Sequence, residues 1–78
     1  MNTQEQISKL TLLLIYLTSW EEKESDTPVQ RAWKGYDFDV LDKLEEQGLI
    51  AKSKTAKSLY LTEQGIAIGK DLEERVVI

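Results

Sequence analysis

The sequence predicts a mainly α-helical domain with one small β-hairpin, on three observations. The run Asp37–Gln47 has apolar residues at helical spacing and stops at Gly48. Leu49–Ser53 and Ser58–Leu61 read as two short strands around a lysine-bearing tip, Lys54–Lys57. Thr62 then caps a fresh helix. With 78 residues the chain is one domain, 1–78, near the small end of what folds alone. A chain of this size buries only about 60% of its unfolded surface, so burial against a partner adds much.

The first helix starts at Thr3, which forms a capping box with Gln6. Its apolar residues fall on two sides: Ile7, Leu10, Leu13, Leu14 and Leu17 on one, Leu12, Ile15 and Tyr16 on the other. A helix apolar all round is buried all round. One stripe is expected to face the domain core, and Leu12, Ile15 and Tyr16 a second copy. Glu21–Asp26 is polar and acidic and reads as a loop. Thr27–Pro28 then offers an N-cap and a proline at the first helical position, and Gly35 a stop, which predicts a short second helix with Val29, Ala32 and Trp33 on one face. The third helix has Asp37 as its cap. Tyr36 staples onto Leu41, Phe38, Leu41 and Leu44 face inward, and Asp39, Asp42, Lys43, Glu46 and Gln47 face out. After the hairpin, the fourth helix carries Ile68, Leu72 and Val76 on one stripe, with Gly65 and Gly69 beside it. Two helices joined by a short glycine-bearing turn, followed by a two-stranded wing and a last helix, make a winged helix-turn-helix.

Composition narrows the function classes. The chain has neither cysteine nor histidine, which removes disulfides, thiolate or imidazole zinc sites and the commonest general base. No glycine-rich phosphate loop is present, and Glu21, Glu22, Glu24 and Asp26 lack the spacing and glycine of a calcium loop. The expectation is a non-enzyme without metal or cofactor. The longest apolar run, Leu12–Leu17, is too short to span a bilayer, and Met1–Lys9 shows no leader pattern, so a cytoplasmic protein without a membrane partner is expected. The net charge is −4, unevenly spread: Glu21–Glu46 holds nine acids and four bases, whereas Gln47–Thr62 holds three lysines and no acid.

The strings "LDKLEEQGLI" and "LYLTEQG", with the lysine-bearing hairpin between them, resemble the recognition-helix and wing region of MarR- and PadR-type bacterial regulators. The string "RAWKGYDFDVLDKLEEQGLI" is similar to a group of short stand-alone bacterial winged-helix proteins of unknown function. The resemblance implies a bacterial protein in which the third helix reads DNA, Lys52, Lys54 and Lys57 lie on the wing, and the outer helices build a dimer. The outward acids of that third helix depart from the DNA-reading pattern, because carboxylates among phosphates are repelled.

Two function classes follow. In the first, a small DNA-associated regulator binds duplex weakly through Lys52, Lys54, Lys57, Arg31 and Lys34, against the plainer reading that lysines keep a hairpin soluble. In the second, a protein-interaction module docks a basic partner on Asp39, Asp42 and Glu46, against the plainer reading of a solvated helix face. Either class is expected as a homodimer through Leu12, Ile15, Tyr16, Ile68, Leu72 and Val76. Trp33 and Tyr36, beside Arg31 and Lys34, suit either base stacking or the cementing of two helices.

Overall fold

The computed structural model describes residues 3–24, 27–52 and 58–76. In chain order they form α1 (Thr3–Thr18), β1 (Trp20–Glu24), β2 (Thr27–Trp33), α2 (Phe38–Glu46), β3 (Ile50–Lys52), β4 (Ser58–Leu61) and α3 (Glu63–Val76). The four strands make one antiparallel sheet in the order β1-β2-β4-β3.

This arrangement overturns the winged helix-turn-helix. The expected second helix is the strand β2, and the expected acidic loop is largely the strand β1, so three helices and a four-stranded sheet replace four helices and a two-stranded wing. Physical reasons can be read off the register. Val29, Ala32 and Trp33 do share a helical face, but over seven residues such spacing cannot outweigh strand alternation. That alternation sets Ala32, fully buried, against Trp33, largely exposed. Pro28 is tolerated in a strand because it pairs only with Lys23 of β1, and the β4 ladder begins two residues later, at Gln30↔Leu61. The proline that looked like a helix start marks the start of a strand.

The second half of the chain matches its local signals. Asp37 caps α2, its Oδ1 accepting from the Asp39 N–H at 2.9 Å and the Val40 N–H at 3.3 Å. The helix ends in a Schellman turn: the Leu49 N–H donates to the Leu44 carbonyl and the Gly48 N–H to the Glu45 carbonyl, both at 3.0 Å. Gly48 takes the left-handed φ of 77° that this turn needs. Ile50–Lys52 pairs antiparallel with Leu59–Leu61, as the hairpin predicted. The Thr62 hydroxyl accepts from the Gly65 N–H at 3.0 Å and donates to the Gly48 carbonyl at 2.7 Å, tying the start of α3 to the end of α2.

The core lies between the helices and one face of the sheet. Leu12 and Ile15 of α1 meet Leu41 and Leu44 of α2 and Ala32, Ile50, Leu59 and Leu61 of the sheet. The α1–α3 contact depends on a missing side chain: a Cβ at Gly69 would sit 2.7 Å from the Tyr16 ring. At Gly65 a Cβ would run into the Leu49 carbonyl oxygen. Two sequence assignments reverse. Phe38, expected inside, is 70% exposed. On α1, Leu12 and Ile15 are the core stripe, while Ile7, Leu10, Leu14 and Leu17 face outward.

Candidate functional site

The helices cover the face of the sheet that carries Ala32, Leu59 and Leu61, so alternation turns Arg31, Trp33 and Tyr60 to the other side. Trp20 joins them there, because it is the cross-strand partner of Arg31. The helix-free face therefore gathers two tryptophans, a tyrosine and an arginine from β1, β2 and β4.

Their geometry is ordered. Arg31 lies over the Tyr60 ring, with its guanidinium carbon 4.6 Å from the centroid, and also donates to the Tyr60 hydroxyl. On its other side Arg31 Nη1 donates to Glu22 Oε2 at 3.0 Å. The bond to Tyr60, helped by Glu22, raises the arginine's pKa further above its ordinary value. Trp20 and Trp33 meet edge to face, with centroids 6.5 Å apart and planes at 62°. Trp33 stays 62% exposed, and Phe38 is likewise open just beyond the loop that follows β2. Tryptophan, tyrosine and arginine are the residue types that dominate the energetics of protein interfaces.

The charged residues singled out in the sequence are placed differently. Lys52 of β3 binds Asp42 and lies 3.8 Å from Glu45, both on α2. Its backbone N–H also donates to Glu45 Oε2 at 3.0 Å, which closes that edge of the sheet. The bond that Lys52 donates to Asp42 raises its pKa above the ordinary lysine value. One residue of each predicted surface, Lys52 and Asp42, is thus taken up in an internal ion pair. Asp39 and Glu46 are exposed at opposite ends of α2. Lys34 is half-buried just after β2. Lys54 and Lys57 lie outside the described residues. Arg31, expected to reach phosphate, is held between Glu22 and Tyr60.

The residues named for a dimer also separate. Leu12 and Ile15 are buried inside this chain and are not available to a second one. Tyr16 packs against Gly69, and Leu72 is half-buried against the core. Ile68 is exposed beside a cleft of about 480 Å³ lined by Ser8, Lys9, Leu12, Lys43 and Leu44. Val76 ends α3, and its side chain lies outside the described part. Among the described residues no helix is long and apolar enough to cross a membrane.

Sequence reasoning missed the aromatic face because it placed Trp33 on a helix. The signal was present in Val29, Arg31 and Trp33, an every-second-residue series of β-branched and aromatic types interrupted only by one large cation.

A 74-residue stretch is 34% identical to "Uncharacterized protein y4hR" of Sinorhizobium fredii (strain NBRC 101917 / NGR234), covering 94% of this chain and 90% of that protein. No solved structure matches. The family model described as "Domain of unknown function (DUF6429)" matches residues 3–78, and the chain belongs to that family.

Proposed function

We propose that this chain is a non-enzymatic, cytoplasmic protein-interaction module whose partner surface is the helix-free face of the sheet. The observation that supports it most is the ordered cluster of Trp20, Trp33, Arg31 and Tyr60 on a face that none of the described elements covers. Exposed tryptophan held by a neighbour presents a large area at little cost in side-chain entropy, which is what an anchor residue needs. The partner is a basic protein. Glu22 borders the aromatic cluster, the whole chain carries −4, and tryptophan rings attract cations.

Duplex DNA is the weaker reading on this geometry. Arg31 and Lys52 are engaged by Glu22, Tyr60, Asp42 and Glu45, so a phosphate contact would have to break an internal pair first. The test compares wild type with Trp20→Ala and Trp33→Ala. Affinity capture from lysate of the source organism, followed by titration of the recovered partner, should show one basic protein bound by wild type and lost by both variants. Parallel titration with duplex DNA at about 50 mM salt, where phosphate contacts are strong, provides the contrast. Salt-sensitive duplex binding that survives Trp33→Ala would overturn the proposal.

A further inference from the structure

Ser8 is the polar side chain that α1 buries, at 7% exposure, and its hydroxyl has no hydrogen-bond partner among the described residues. Thr18 on the same helix shows the ordinary alternative, turning its hydroxyl back onto the Leu14 carbonyl at 2.8 Å. A buried hydroxyl left without a partner is costly. Ser8 instead lines the cleft of about 480 Å³ where α1, α2 and α3 meet.

The cleft is built like a small-ligand site. Its volume lies within the range of about 300–1,000 Å³ that such sites occupy. Leu12, Leu44 and Leu49, each at most 8% exposed, form its floor, and Ile68 stands open at its side. Positions 5, 8, 9 and 12 of α1 follow helical spacing, so Ser8 and Lys9 enter beside the leucine. Lys43 faces them from α2 and makes no ion pair with any described residue.

Charge decides the kind of occupant. Two lysines line the cleft against one acid, Glu5, in a chain whose net charge is −4. Ser8 and Lys43 also border a neighbouring hollow of about 290 Å³ that carries Asp39, Asp42 and Glu46. The two shared residues mark the boundary, and an anion repelled from the acidic side is left the leucine side. A carboxylate there accepts from both a hydroxyl and an ammonium, whereas an alkylamine would meet two like charges. Past the head, the leucine floor offers nothing polar and suits a chain of methylenes.

We propose that the cleft binds a small amphipathic monocarboxylate, its head held by the Ser8 hydroxyl and Lys43 with Lys9 beside them, and its aliphatic chain laid on Leu12, Leu44 and Ile68. The site lies on the helical side of the molecule and is independent of what binds the sheet.

Decanoate is the probe, with decanol and decylamine as uncharged and oppositely charged controls and acetate as the head alone. Amide NMR titration of the full chain should show saturable shifts at Ser8, Leu12, Leu44, Leu49 and Ile68, with a dissociation constant of about 1 mM or tighter. Decanol should bind more weakly, and decylamine and acetate not measurably. Ser8→Ala should weaken decanoate about fivefold. The urea midpoint of that variant without decanoate should be no lower than that of wild type, because the hydroxyl has no partner to lose and alanine favours a helix. The double variant Lys9→Gln, Lys43→Gln should erase the preference for decanoate over decanol, and both positions are exposed, so the fold is kept. Five results would each overturn the proposal. They are the absence of saturable shifts, wild-type binding of decanol or decylamine as tight as that of decanoate, shifts centred on the outward Leu10, Leu14 and Leu17 instead, a Ser8→Ala variant that binds as wild type, or one that is destabilised.

Discussion

The two sides of α1 are built from the same residue types and do different work. Leu12 and Ile15 are at most 1% exposed, whereas Leu10, two residues before Leu12, is 58% exposed. Apolarity does not separate them. What separates them is the concave surface supplied by α3, α2 and β2, which can wrap only one side of a helix in a chain this short. An all-round apolar helix in a small domain therefore records two surfaces, and only the positions of the other elements tell which is the core.

The largest effects should break the inner side. Leu12→Ala and Ile15→Ala remove side chains with almost no solvent access, and such truncations cost about 2–5 kcal/mol. Leu10→Ala and Leu14→Ala, measured in dilute solution, should cost less than about 1 kcal/mol because those side chains are already half in water. Urea midpoints for the four variants check the contrast. Equal losses on both sides would erase it.

Next in size are the two glycines that let α3 approach the rest of the fold. Gly65→Ala drives a methyl into the Leu49 carbonyl, a backbone group that already accepts from the Thr62 N–H at 3.1 Å, and overpacking of that kind costs about 1–3 kcal/mol. Gly69→Ala first meets the half-buried Tyr16 side chain rather than backbone, so its loss should be smaller. Thermal midpoints ordered Gly65→Ala below Gly69→Ala below wild type are the expected result.

Trp33→Ala extends the contrast to the sheet. It should cost about 1 kcal/mol, the worth of its edge contact with Trp20, since the ring covers none of the core. A loss as large as that of Leu12→Ala would mean that the aromatic face is structural, and the proposed partner surface would lose its main support.

How much of this was legible in the sequence follows from how local the signals are. Asp37, Gly48 and Thr62 act through hydrogen bonds to residues close in sequence or across one turn, and α2, the β3–β4 hairpin and the start of α3 were predicted at nearly their observed places. β1 and β2 are held together by pairing, and β2 is placed by β4, about thirty residues on, at Arg31↔Tyr60. Nothing local encodes that contact, and Pro28 pointed to a helix. The site suffered the same way. Lys52 and Asp42 were read as rival surfaces because their sequence separation hides the ion pair between them. Trp33 was visible as an aromatic beside cations, but its exposure depended on the strand that had been missed.

The smallest effect concerns that ion pair, and its sign can be worked out. Lys52 gains Asp42 and Glu45 on folding, so its folded pKa lies above the ordinary 10.5 of an unfolded lysine. A group of this kind contributes its stabilisation fully below the unfolded pKa and loses it as the pH rises through the folded one. Lys52→Met keeps the aliphatic stem and removes the charge, which leaves Asp42 in water and costs little because exposed pairs are weak. The difference in urea midpoint between wild type and Lys52→Met should be small and constant from neutral pH to about pH 9, then shrink above 10.5. Salt should shrink it as well, by screening a pair that solvent reaches. A difference that persists at high pH would show that Lys52 acts through its stem, packed between β3 and α2, and the ion pair would then be an incidental contact.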